Sequence, residues 1–240
     1  MVFPKQNSFA HYADPEEVIA DFRRAAESMG ATRLSVTVPV PFHASANAGT
    51  YFYNWNFLGS LADRYRDALR RGTALIPDLI IDGGKPVLWR DIADGAAFNL
   101  SPERRKIFRD FVGHHTEDGV SIPLYGPFGH RALLSITFAP PVTDPSDQRI
   151  DAITSLGTAA YARYVELVRR SQSRKVNLSA REQEVLAHVA AGRTTKEMAR
   201  LMELSPSSVD TYLRRIFEKL EVDDRTAAAV KALSLGLFKL

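Results

Sequence analysis

The chain has 240 residues and no cysteine, which excludes both a disulfide framework and a thiolate-held metal. It has no long hydrophobic run either, since no stretch approaches the roughly 18 apolar residues of a membrane span. The opening MVFPKQNSF carries no apolar core after its single lysine, so no secretory signal peptide is expected and the expected compartment is the cytoplasm. Phosphate loops are missing as well. Gly83-Gly84 and Gly126-Pro127-Phe128-Gly129 have no GxxxxGK[ST] or GxGxxG beside them and read as turns. His43 and His130 lack a nucleophile at a recognisable spacing, so neither an enzyme nor a cofactor is expected. His114, His115, Glu117 and Asp118 crowd together, but neighbours in sequence point in different directions and read as a polar helix end, with no metal expected. Neither charge sign dominates, with 31 Lys and Arg against 28 Asp and Glu.

What is present is concentrated in LSAREQEVLAHVAAGRTTKEMARLMELSPSSVDTYLRRIFEKL, from Leu178 to Leu220. Ser179 and Glu182 have capping-box spacing, and Val185, Leu186, Val189 and Ala190 form the stripe of the helix they open. Gly192 falls where a left-handed helix end is needed, and Thr194 with Glu197 repeats the box. The second helix, Lys196 to Met202, buries Met198, Ala199 and Leu201 or Met202. Ser205 then caps a third helix with Pro206 at its first position, and Val209, Leu213, Ile216, Phe217 and Leu220 recur at helical spacing. Ser207, Ser208, Asp210, Thr211, Arg214, Arg215 and Glu218 are left outward. Short hydroxyls followed a turn later by paired arginines suit base edges and phosphates, and these turn lengths fit a helix-turn-helix. Thr194, Thr195, Ser207, Ser208, Thr211, Arg214 and Arg215 are therefore the candidate DNA contacts.

Charge follows the same division. From Ser171 onward there are 12 Lys and Arg against 9 Asp and Glu, so the surplus of +3 lies in the last 70 residues and the first 170 are neutral. The polar, basic stretch within 171–177 reads as a linker between a domain at 1–170 and a helix-turn-helix domain at 178–240.

The first domain reads as α+β. A helix is expected from Asp14 to Ser28, an alternating strand from Arg33 to Val40, and an aromatic strand from Thr50 to Phe57. Helices follow at Gly59 to Arg71 and Pro102 to His114. A hairpin pairs Val120–Tyr125 with Ala132–Phe138, and a long helix from Ser146 to Arg170 offers a dimerisation spine. Helices flanking an antiparallel sheet give an α/β/α sandwich with room for a small molecule between layers.

The C-terminal segment resembles the DNA-binding domain of the LuxR and NarL transcription factors through Glu182, Leu186, Gly192 and Val209. It departs at Tyr212, where a histidine is common, and at Asp210, where a lysine is common. The order of the first domain resembles the autoinducer-binding domain of LuxR-type quorum-sensing regulators, through Asp118-Gly119-Val120-Ser121-Ile122-Pro123, Gly126, Gly129 and Leu134-Ser135. Trp89 falls where that family keeps a pocket tryptophan, and an ungapped count places Tyr65 on a tyrosine that lines the acyl chain. On the same count the family's ligand-binding aspartate becomes Ala74, its lactone-binding tryptophan Leu61 and its acyl-carbonyl tyrosine Phe57.

The resemblance implies a dimeric regulator acting at inverted-repeat promoter DNA, with a pocket built from Phe57, Leu61, Tyr65, Ala74, Trp89, Gly119 and Ser135. It reads as an orphan member, whose site takes a small apolar signal molecule other than an acyl-homoserine lactone held in the usual way, or no ligand at all. Two alternatives stand beside this: a lactone-responsive activator with a shifted pocket using Asp78, Tyr51, Tyr53 or Trp55, and an antiactivator that heterodimerises with another regulator. A phosphorylated receiver is excluded, because the first strand ends Val38-Pro39-Val40-Pro41-Phe42 with no acidic pair.

Overall fold

A computed structural model describes residues 9–38, 52–57, 75–113, 119–173 and 176–237. The expected helix at 59–71, the cluster at 114–118, and Leu61, Tyr65 and Ala74 lie outside them. Residues 1–164 and 165–240 form two compact units.

In the first unit, helix α1 (Pro15–Ser28) opens on Asp14, whose carboxylate accepts the Glu16 N–H at 2.9 Å and so satisfies a backbone donor that the helix cannot. Five antiparallel strands follow: β1 (Ala31–Thr37), β2 (Phe52–Trp55), β3 (Val87–Leu88), β4 (Gly119–Tyr125) and β5 (Arg131–Phe138). They are arranged in the order β2-β1-β5-β4-β3. The expected hairpin is β4–β5, with Ile122 opposite Leu134 and Ser121 opposite Ser135.

The two faces of the sheet differ because side chains alternate. Leu34, Val36, Leu124 and Leu134 share one face, which packs on α1 and on α5 (Gln148–Ser173). Gly157 lets α5 settle there, since a Cβ on it would meet Leu124 at 3.3 Å and Phe22 at 3.4 Å. The other face carries Ser35, Ser121, Leu133 and Ser135 and is covered by α2 (Leu75–Gly83), α3 (Trp89–Asp94) and α4 (Pro102–Val112). Ile80, Ile81, Ile92, Phe108 and Val112 meet Leu133, Phe57 and Trp89 in one apolar cluster. The layers are therefore helix, sheet, helix, as expected. The elements α2, β3 and α3 were not foreseen.

The second unit is all helical. α6 (Ala180–Ala190), α7 (Thr195–Leu201), α8 (Pro206–Leu220) and α9 (Arg225–Leu235) enclose a core of Val185, Leu186, Val189, Met198, Ala199, Met202, Val209, Leu213, Ile216 and Leu220. Met202 takes the core position and Leu201 is half exposed. Helix α5 continues through Ser173, so the first three residues expected as linker are helical. A Glu166–Arg170 ion pair at 2.5 Å and a hydrogen bond from Ser173 Oγ to the Arg170 carbonyl hold its last turn.

Candidate nucleic-acid interface and ligand pocket

Three capped starts set the helix-turn-helix. Both capping boxes form: Ser179 Oγ accepts the Glu182 N–H at 3.3 Å while Glu182 Oε2 accepts the Ser179 N–H at 2.7 Å, and Thr194 with Glu197 repeats the pattern at 3.3 and 2.7 Å. Ser205 Oγ accepts the Ser208 N–H at 3.1 Å, with Pro206 starting α8. Gly192 has φ of 73°, the left-handed conformation its position requires. Glu182, only 2% exposed, also takes Lys219 Nζ at 2.7 Å. Burial works against its charge, but the Lys219 ammonium and the Ser179 N–H and hydroxyl outweigh that and hold the carboxyl below its usual value.

On the outer side of α8, Arg214 and Arg215 are exposed and make no ion pair among the described residues. The other candidates are partly engaged within the protein. Thr194 Oγ1 serves its capping box and donates to Glu197 Oε2 at 2.8 Å. Thr195 Oγ1 accepts from Arg225 Nη2 and donates to Asp210 Oδ1 at 3.4 Å. Ser207 and Ser208 share their hydroxyls with Ser205 Oγ at 2.9 and 2.8 Å, and Thr211 Oγ1 donates to the Ser207 carbonyl at 2.9 Å. Arg225 was missed by the sequence reading. It lies 30 residues from Thr195, and no local pattern links them.

In the first unit the sheet brings Trp89, Gly119, Ser135 and Phe57 together. Trp89 Nε1 donates to Ser121 Oγ at 2.8 Å, and Ser121 Oγ lies 3.2 Å from Ser135 Oγ. The indole, 3% exposed, meets the Phe108 ring edge-on at 6.4 Å and Phe57 at 6.1 Å. Gly119 makes room for it, because a Cβ there would stand 2.1 Å from Trp89 Cε3. Ser121, Ser35 and Asn54, which the sequence reading did not single out, stand on the same face of the sheet. Cross-strand register sets Asn54, Ser35, Ser135 and Ser121 in one row on the face that holds Trp89. Asn54 Nδ2 donates to the Phe57 carbonyl at 3.1 Å, while its Oδ1 is buried without a partner among the described residues. Serines standing in otherwise apolar strands were the available signal.

The donors suggested for a shifted pocket do not face this row. Asp78 is exposed on α2. Tyr53 and Trp55 pair with Val36 and Leu34 and so share the opposite face, where the Arg23 guanidinium lies 5.9 Å from the Trp55 ring. Tyr51 lies outside the described residues.

Comparisons with known proteins agree with this division. The sequence profile of bacterial regulatory proteins, luxR family, matches residues 176–232, and that of the autoinducer binding domain matches 14–164. The HTH-type quorum sensing-dependent transcriptional regulator RpaR of Rhodopseudomonas palustris is 32% identical over 65% of this chain and 62% of its own length. An HTH-type transcriptional regulator of Sinorhizobium fredii is 29% identical over 66% of this chain and 48% of its own. The chain thus spans less than two thirds of either relative. The fold is shared with Escherichia coli SdiA, at a TM-score of 0.71 and 21% identity over 95% of this chain and 94% of that one. A structure of SdiA in complex with octanoyl-rac-glycerol gives 0.69 and 20% over 97% and 93%.

Proposed function

The chain belongs to the luxR family of bacterial regulatory proteins and carries an autoinducer binding domain ahead of its helix-turn-helix, and from this we propose that it regulates transcription as a homodimer on inverted-repeat promoter DNA. The observation that carries the reading is the adjacent pair Arg214 and Arg215, exposed and free of ion pairs among the described residues, on a helix whose other side is packed. Ser207, Ser208 and Thr211, on the same helix, are further contacts, while Thr194 and Thr195 are engaged with Glu197, Asp210 and Arg225. The sensor and dimerisation domain is taken as 1–170, the connector as 171–177 and the reader as 178–240. Val230, 38% exposed on α9, and the half-buried Leu233 offer an apolar patch for pairing two reading domains. The cytoplasm is where such a regulator meets its promoter. Purified full-length protein, with no ligand added, is expected to bind duplex DNA with an affinity that falls steeply with salt. It is also expected to scatter light as a dimer. Failure to retain DNA even at low salt refutes the reading.

For the sensor domain, the proposal is a small apolar ligand not gripped as an acyl-homoserine lactone usually is. By the resemblance, Leu61, Ala74 and Phe57 replace three polar anchors, and each lost partner costs about 1–3 kcal/mol, or roughly one to two decades of affinity. The Trp89 N–H is already spent on Ser121. The unpartnered Asn54 Oδ1 restores one acceptor against three losses. A thermal-shift series therefore expects no response to homoserine lactones of several chain lengths at about a hundredfold above nanomolar affinities. Octanoyl glycerol, with which SdiA forms a complex, is the lactone-free probe. An upward shift with any lactone overturns this part.

A further inference from the structure

Asp210 is the one acidic side chain in the first two turns of α8, the stretch of a recognition helix that reaches base edges. It is exposed, and it sits one residue before Thr211 and one helical turn before Arg214. A bare carboxylate there meets the phosphates of the groove and weakens association. This carboxylate is tethered: Thr195 Oγ1 donates to Oδ1 at 3.4 Å, and the same hydroxyl accepts from Arg225 Nη2. The first residue of α7, the second turn of α8 and the first residue of α9 thus meet at one hydroxyl, Thr195 Oγ1. The tether fixes the side chain and brings a guanidinium close to its charge. The second oxygen, Oδ2, has no hydrogen bond or ion pair among the described residues.

We propose that Asp210 is a base-specificity residue whose second oxygen selects cytosine or adenine over guanine or thymine at one position of the operator strand it faces, through cytosine N4 or adenine N6 in the major groove. An ionised carboxylate only accepts hydrogen bonds. It is therefore satisfied by those amino groups and repelled by guanine O6 and N7 or by thymine O4 when one of those bases takes the same position on that strand. Thr195 is a positioning residue that aims Asp210, and Arg225 offsets its charge through Thr195. Arg214, with donors only, reads the complementary chemistry of guanine or phosphate one turn further on. Asp210 thus exchanges general affinity for selectivity.

This rests on the DNA-binding reading, and the test separates the two. Full-length protein is used to select duplexes from a randomised pool, in parallel with Asp210→Ala, Asp210→Asn and Thr195→Val. The exposed helical site accepts alanine without loss of fold, since alanine favours helix over aspartate. The parent chain is expected to enrich cytosine or adenine at one position of each half-site by about tenfold. Asp210→Ala is expected to lose that preference alone, keep the others and bind random duplex more tightly. Asp210→Asn, which keeps an acceptor oxygen, is expected to retain part of it, and Thr195→Val to blur it. A purely structural Asp210 would instead weaken every position together and lower the melting temperature. That outcome, or an identical preference in parent and Asp210→Ala, overturns the inference while leaving DNA binding intact. If no variant and no parent chain enriches or retains any duplex, the DNA-binding reading falls and takes the inference with it.

Discussion

Glu182 sits inside the reading domain with a charge that must be repaid locally, and replacing it with alanine tests how the helix-turn-helix is held together. Its carboxylate accepts from the Ser179 N–H and from Lys219 Nζ, both at 2.7 Å, and so ties the start of α6 to the last turn of α8. The capping bond is worth roughly 1 kcal/mol. The ion pair has one member 3% and the other 40% exposed. It therefore lies between about 1 kcal/mol for a surface pair and 3–5 kcal/mol for breaking a buried one. Glu182→Ala is expected to destabilise the second unit by about 2–3 kcal/mol, a fall in its melting temperature of about 10–20 °C. Both tryptophans, Trp55 and Trp89, belong to the first unit. Tryptophan fluorescence therefore follows the sensor domain as an internal control while far-ultraviolet circular dichroism follows both.

The pH dependence has a definite sign. The folded carboxyl titrates below its unfolded value, so its contribution is complete above pH ~4.5 and is lost as pH falls through the lower, folded value. The gap between parent and variant is expected to be constant from pH 6 to 8 and to close only in acid. A gap under 1 kcal/mol at pH 7, or one that changes between pH 6 and 8, refutes the reasoning.

Two further substitutions address the two candidate sites. Arg214→Ala and Arg215→Ala are expected to weaken duplex binding by about 1–3 kcal/mol each with unchanged circular dichroism, and unaltered affinity in both removes the proposed reading face. Gly119→Ala forces a methyl group to 2.1 Å from the Trp89 ring. It should cost the sensor domain about 1–3 kcal/mol and change the tryptophan emission as the indole leaves Ser121; parent-like emission and stability would show that the close approach is not required.

The helix-turn-helix was legible nearly to the residue because its signals are local. A hydroxyl three residues before a glutamate, a proline at a first turn and a glycine at positive φ are each complete within a few positions. The sensor domain was legible in its hairpin and long helices and illegible in α2, β3 and α3. Leu75–Gly83 is apolar almost throughout, with Pro77 inside it, so it shows no clean helical stripe, and Val87–Leu88 is too short for alternation to register. The polar row failed to show for a different reason. Asn54, Ser35, Ser135 and Ser121 line up only through pairing of strands up to 100 residues apart, and alternation along one strand says nothing about its partners. Likewise the sequence displays every hydroxyl of the reading face but not which are spent, as Thr194 is on Glu197 and Thr195 on Arg225 and Asp210.

Asn54 separates a structural account of the pocket from a functional one. In the folded chain its Nδ2 supports the Phe57 carbonyl, a bond worth about 0.5–1.5 kcal/mol, while its Oδ1 is buried without a partner among the described residues, a debit of about 1–3 kcal/mol. Asn54→Leu keeps the branched outline and removes both, at the cost of leaving the Phe57 carbonyl without this donor, so in the ligand-free protein the effects offset and the change should be near neutral. An asparagine serving only the fold would give a clear loss, at least that of its one hydrogen bond. With a ligand whose donor meets Oδ1, the same substitution should erase most of the thermal shift even though the starting melting temperature is nearly unchanged. Urea melts of the sensor domain by tryptophan fluorescence give the first quantity and ligand titrations the second. Clear destabilisation without ligand would mean that this polar row holds the sheet together and that a ligand's polar group is met elsewhere in the domain.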